Sequence, residues 1–169
     1  MDKKEIFIAL PKGRILKEAI PLLKKINIIP ENSFFDKNNR RLQFATNLPN
    51  IKLIIVRSFD VATFLIYGAA QIAIIGSDVL EEFNNSDIYS PIDLKLGRCR
   101  LVVATTKEML MKEDPLSWSY VRVATKYPNL TKLHFGKRGV HADCIKLNGA
   151  MELAPSMGLC RRIVDLIDT

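Results

Sequence analysis

The sequence predicts an α/β fold with mainly parallel strand pairing, and three observations predict it. Short apolar runs of strand length alternate with amphipathic stretches of helical spacing along the whole chain. The runs are apolar at consecutive positions, as strands covered on both faces are. They break at Pro, Gly or a cation, and a helix start follows.

The first unit of this pattern is Ile6-Phe7-Ile8-Ala9-Leu10, a buried strand that stops at Pro11. Lys12, Gly13 and Arg14 make a basic loop. Ile15, Leu16, Ala19, Ile20, Leu22, Leu23 and Ile26 then recur at helical spacing, with Pro21 expected to kink that helix. Residues 40–44 alternate like a half-exposed strand, and 51–56 form a buried one that ends at Arg57. Ser58 is the expected N-cap of a helix closed by Gly68. Residues 71–75 read as a strand ending at Gly76, and Ser77 as the cap of a helix over 78–83. Residues 93–97 look like a crossover between two lobes, 1–91 and 92–169.

In the second lobe the expected strands are 100–105, 121–124, 142–147 and 163–169. A short helix is expected near 107–112, and a longer one opens around Pro128 and closes at Gly139. Pro155 suits the first turn of a helix, and Gly158 ends it. The last strand places Asp165 and Asp168 towards its carboxyl end, where ligands sit in open α/β sheets.

The net charge of +7 favours phosphate-bearing partners without choosing between nucleotides and nucleic acid. Cys99, Cys144 and Cys160 are far apart, and with only His134 and His141 beside them no zinc site is expected. Scattered thiols and the lack of a signal peptide suit a reducing cytoplasm. The longest uncharged stretch, 61–77, is too short to span a membrane comfortably. The histidines lie near no nucleophile elbow, which disfavours a hydrolase. Aromatics interleaved with cations, as in single-strand binders, are absent, so Trp118 and Tyr120 are read as covering a core edge.

Cations stand at three strand ends: Lys12 with Arg14, Arg57, and Lys126. Arg40 and Arg41 stand on the edge of a neighbouring strand. Such a set suits a polyphosphate, because guanidinium forks pair with phosphate oxygens. The motif Pro-Lys-Gly-Arg is not a Walker loop.

The ordered segments ALPKGR (9–14), RRLQF (40–44), VRSFDV (56–61), YGAAQIAIIGSDVL (67–80), GRCRLVVA (97–104), RVATKYPN (122–129), KLNGAMELAP (146–155) and GLCRRIVDLIDT (158–169) together resemble ATP phosphoribosyltransferase. The likeness is to the catalytic core of its short form, in which a histidyl-tRNA-synthetase-like subunit is the regulatory partner. It implies two lobes of the type II periplasmic-binding-protein kind around a cleft, ATP and phosphoribosyl pyrophosphate as substrates, Mg²⁺ as cofactor, a homodimer or hetero-oligomer, and neither nucleic acid nor membrane. It implies catalytic roles for Arg57, Arg40 and Lys12, and substrate binding by Gly13, Arg14, Gly76, Asp78, Glu152, Asp165, Asp168 and Thr169, with no protein metal ligands. The alternative is a non-catalytic two-lobed module that binds a nucleotide or phosphate ligand.

Three departures stand out. Gln71 and Ser77 replace residues that are usually charged in the family. Cys160-Arg161 replaces Ala-Asp. The family's phosphate loop continues beyond Asp-Thr as Gly-x-Thr-Leu, whereas this sequence stops at Thr169. The second lobe is therefore expected to be incomplete at its C-terminus, and residues 1–169 alone to bind phosphoribosyl pyrophosphate weakly.

Overall fold

The computed structural model describes residues 5–36 and 38–168, and Thr169 lies outside them. The chain forms two compact units, Met1–Gly97 and Arg98–Thr169. The first runs past the expected Pro91 because the connecting stretch docks on it. The Gly97 N–H donates to Glu18 Oε2 at 3.0 Å, and a Cβ at Gly97 would press on Ile15.

The first unit holds strands β1 (Ile6–Pro11), β2 (Gln43–Ala45), β3 (Ile51–Val56) and β4 (Ile72–Ala73) in the order β2-β3-β1-β4. β1 is parallel to both β3 and β4, and only edge strand β2 is antiparallel. Helices α1 (Arg14–Lys25), α2 (Ser58–Ile66) and α3 (Ser77–Phe83) follow β1, β3 and β4. Alternate residues of β1 feed different cores. Ile8 and Leu10 pack with Leu23, Ile28 and Leu53, while Ala9 packs with Ile54, Val56, Val61 and Ala70. Burial on both faces is the reason β1 is apolar at every position.

Several local expectations are corrected. The second strand covers 43–45, not 40–44, since Arg40 and Arg41 lie outside the ladder. Leu42 extends the pairing by one bond, its carbonyl accepting from Ile55 N–H at 2.8 Å. The strand expected over 71–75 pairs regularly only at Ile72–Ala73, with single bonds from Gln71 and Ile74 to β1 on either side. The N-caps are Arg57 and Gly76, not Ser58 and Ser77. Both have extended backbone angles, and their carbonyls accept the first helical bonds. α1 contains exposed Pro21 within one continuous helix, as its spacing predicted. At Gln71 the side-chain Oε1 accepts from Phe7 N–H at 2.9 Å and Nε2 donates to the Gly68 carbonyl at 3.1 Å. An Asp there has no donor for the second of these bonds.

The second unit holds β5 (Cys99–Ala104), β6 (Tyr120–Thr125), β7 (His141–Lys146) and β8 (Arg162–Asp168) in the order β5-β8-β6-β7. β6 is parallel to β7 and β8, and β5 is antiparallel to β8. Helices α4 (Lys107–Lys112), α5 (Pro128–Gly136) and α6 (Leu153–Ser156) connect them. Val121, Val123, Phe135, Val140, Ala142 and Val164 form one core, with Trp118 packed against it. Ala124, Ala154 and Cys160 form a smaller one that seats α6. His141 opens β7 rather than lying in the loop before it.

His134 lies on α5 with its ring edge-on to Phe135 at 5.2 Å. Partial burial lowers its pKa, and Arg138 and Lys137 add to that. The neutral imidazole is thus the form the fold prefers. Its contribution is complete above the unfolded value of about 6.5 and is lost as pH falls through the lower folded value. His134→Gln is expected to flatten the fall in urea midpoint between about pH 7 and pH 5. An unchanged slope would remove His134 as a source of it.

Candidate active site

The carboxyl edge of the first sheet collects the cations that the sequence singles out. Pro11 pairs with Val56 in the β1–β3 register, so Lys12 and Arg57 leave adjacent strands side by side. The Lys12 N–H donates to the Val56 carbonyl at 2.8 Å and fixes that adjacency. Ala9 pairs with Ala73, and the same offset sets Gly76 level with Lys12 on the other side. In the antiparallel register Gln43 faces Ile54 and the Leu42 carbonyl accepts from Ile55 N–H, so Arg40 lies on the loop that enters β2, outside the ladder. One edge thus carries Arg57 and Lys12 side by side, with Gly76 past the end of β4 and Arg40 on the loop entering β2. Both Lys12 and the two arginines are exposed.

Helix starts reinforce this edge. Gly13 is the N-cap of α1 and Arg57 that of α2, so the positive ends of two helix dipoles stand next to the cations. Gly13 has φ 106° and ψ −141°, a conformation open to Gly, and no atom lies within 4 Å of where a Cβ would stand. Gly13→Ala is therefore a pure backbone test. It is expected to cost about 1–3 kcal/mol, read as a lower urea midpoint. A midpoint equal to that of the parent would show that the loop relaxes freely. At Gly76 the constraint is steric: a Cβ would collide with the Asp78 carboxylate, which folds back over the start of α3.

Arg14 is steered by Glu18, whose Oε1 lies 3.9 Å from Arg14 Nε. The other Glu18 oxygen takes the Gly97 N–H, so one carboxylate links the basic loop to the connecting stretch. The i,i+4 spacing of Glu18 from Arg14 is the signal for this pair in the sequence. Arg41 turns away from the group, pairing with Glu31 at 3.2 Å and lying over Phe44.

The second unit has its own carboxyl edge. Thr125 ends β6 fully buried, and its Oγ1 accepts from Tyr127 N–H at 2.9 Å, shaping the turn that carries Lys126. Sequence reading missed this role, although a Thr-x-Tyr turn of this kind recurs. Thr125 pairs with Val164, so Asp165 is level with Lys126 on the neighbouring strand. Asp165 is half-buried, and its Oδ1 accepts from the next N–H, that of Leu166, at 2.8 Å. Asp168 is the last residue of β8 and pairs with Cys99 in the ladder. Glu152 is exposed at the start of α6, on the loop that leaves β7. Ala150 in that loop has φ 54°, a left-handed conformation that stores strain beside Glu152.

The expected site residues therefore fall into two edge groups. Arg40, Lys12, Gly13, Arg14, Arg57, Gly76 and Asp78 belong to the first unit, and Glu152, Asp165 and Asp168 to the second. Among the described residues no cluster of three or more His, Cys, Asp or Glu side chains is arranged to hold a metal ion. No helix of the described residues is long and apolar enough to cross a membrane.

A family model described as HisG, ATP phosphoribosyltransferase, matches residues 57–169. The ATP phosphoribosyltransferase of Rhizorhabdus wittichii is 58% identical over 165 residues, 98% of this chain and 75% of that protein. That of Rhodospirillum rubrum is 56% identical over 98% of this chain and 73% of its own length. The chain belongs to the ATP phosphoribosyltransferase family.

Like these relatives, it also matches a solved ATP phosphoribosyltransferase. The HisG:HisZ complex from Thermotoga maritima superposes with a TM-score of 0.76 at 34% identity, covering 97% of this chain and 75% of that one. The fold is accordingly the type II periplasmic-binding-protein-like arrangement of this family. The chain spans about three quarters of the length of the ATP phosphoribosyltransferases it matches.

Proposed function

We propose that the protein transfers the phosphoribosyl group of phosphoribosyl pyrophosphate to N1 of ATP, releasing pyrophosphate at the first step of histidine biosynthesis. The observation that supports the residue assignment is the adjacency of Arg57 and Lys12 at one sheet edge beside two helix starts. As the C1′–oxygen bond breaks, negative charge grows on the departing diphosphate. Cations and N–H groups already fixed in place stabilise that charge without reorganising. Arg57 and Arg40 offer planar forks to the diphosphate, and Lys12 a point charge. Gly13 lets the loop approach closely, Arg14 adds charge, and Gly76 and Asp78 border the same edge. In the second unit, Glu152, Asp165 and Asp168 accept hydrogen bonds from ribose hydroxyls; Thr169, also expected to bind substrate, lies outside the described residues. The ring nitrogen that attacks carries no proton, so the reaction needs no general base.

Mg²⁺ suits this donor set as an ion that arrives on the diphosphate, with water and one of the exposed carboxylates completing its shell. When bound it would neutralise part of the leaving-group charge. A histidyl-tRNA-synthetase-like subunit is the proposed regulatory partner, in line with the HisG:HisZ complex that this chain resembles. The proposed compartment is the cytoplasm.

Pyrophosphate release tests the proposal, measured with ATP and phosphoribosyl pyrophosphate and with the synthetase-like subunit added or withheld. Release that requires both substrates is expected. Binding of either substrate without any release, with the partner present, would leave a binding module in place of an enzyme.

A further inference from the structure

The second sheet has a hollow at its other end, away from Lys126 and Asp168. β6 and β8 run parallel and enter the sheet there, at Tyr120 and Arg162. The hollow measures about 370 Å³, and its wall includes Lys112, Glu113, Trp118, Arg161 and Arg162. That lies at the small end of the ~300–1,000 Å³ usual for ligand pockets.

Two buried donors in this wall lack an acceptor, Arg162 Nε and Trp118 Nε1. Arg162 is only 6% exposed, and its guanidinium carbon lies 3.9 Å from the centre of the Trp118 ring. The Arg162 guanidinium is therefore stacked over the Trp118 ring. The acids nearby are already engaged. Glu113 takes Arg161 on one oxygen at 3.2 Å and Arg162 on the other. Asp114 Oδ1 accepts from Leu116 N–H at 2.9 Å. An unmet buried donor costs about 1–3 kcal/mol, and donors on or beside a guanidinium are best met by an anion.

We infer that this hollow binds a small oxyanion, the carboxylate or phosphate group of a small molecule, between Arg162 Nε, Trp118 Nε1 and Arg161, apart from the candidate active site. Trp118 is the single tryptophan of the chain, so its emission reports on this wall alone. The complete protein is titrated with sodium phosphate and, separately, with sodium acetate, at constant ionic strength set by sodium chloride. The anion that saturates at the lower concentration identifies the source of the oxyanion.

A saturable change in Trp118 emission is expected with at least one of them. The change persists in Arg57→Ala, which separates this site from the catalytic edge. Arg162→Lys keeps a cation for Glu113 but removes the Nε donor, and is expected to weaken binding about tenfold or more, as loss of one charge-assisted bond implies. Arg161→Ala, an exposed position, is expected to weaken it about threefold or more without unfolding the sheet. No saturable change up to about 50 mM of either anion would mean that water alone meets these donors, and would overturn the inference. So would a change of equal affinity in both variants.

Discussion

Arg57→Ala is expected to lower kcat by about 10²–10³-fold while the KM for ATP moves only a few-fold. The side chain is exposed and stands at the N-cap of α2, so its loss removes no core packing. The backbone carbonyl that accepts the first helical bonds, from Asp60 and Val61, is kept in the variant. What disappears is one guanidinium beside Lys12, at the place where diphosphate charge is expected to build. An interaction made mainly in the transition state shows itself in kcat rather than in KM. Arg57→Lys keeps the charge and loses the fork, and should fall between the two. Steady-state kinetics with the synthetase-like subunit present provide the check. An unchanged kcat would remove Arg57 from the chemistry.

The largest expected effect on stability comes from Glu113→Ala. Glu113 is the acid between Arg161 and Arg162, and the Arg162 side chain is buried against Trp118. Burial already pushes the Arg162 pKa down, a sign that its desolvation is only partly offset. Removing the acid leaves a buried cation with no counter-charge. The cost of breaking a buried pair runs to about 3–5 kcal/mol, and the partial exposure of Glu113 argues for the lower end. For a chain of this size about 3 kcal/mol corresponds to a Tm lower by roughly 6–12 °C. Glu113→Gln keeps an acceptor and should lose less. Adding Arg162→Met to Glu113→Ala should recover part of the loss, because the cation goes with its partner. A Tm within about 1 °C of the parent for Glu113→Ala would show that Arg162 is solvated after all.

Which parts of this were legible in the sequence follows from what each signal depends on. β1 and most of β3 are covered on both faces, so their apolar runs announced them, and the helical spacing of 15–26 announced α1. β2 and β4 were misplaced because each is an edge with one neighbour. Their ends are set by a few bonds to β3 and β1, which no local pattern records. The caps slipped by one residue for a similar reason. Serine is the better capping residue, but the parallel register carries the extended backbone through Arg57 and Gly76 before the helices begin.

The cations at strand ends were legible because a parallel sheet puts every strand end on one edge, whatever the loops do. Side chains that act through distant partners were not. Arg162 was not singled out from the sequence, and only its contacts with Glu113 and Trp118 reveal its burial. Glu18 and Thr125 owe their positions to Gly97 and to the turn at Tyr127. Arg40 and Arg41 read alike, yet Glu31 and Phe44 hold Arg41 in place.

The most direct measurement is a nitrogen–proton NMR titration of the labelled protein with magnesium pyrophosphate, the leaving group itself. The account predicts that the largest amide shifts fall at 12–14, 57–60 and 76–78, the three places where strands of the first sheet give way to helices. Shifts confined to other parts of the chain, with those amides unmoved at saturation, would contradict it.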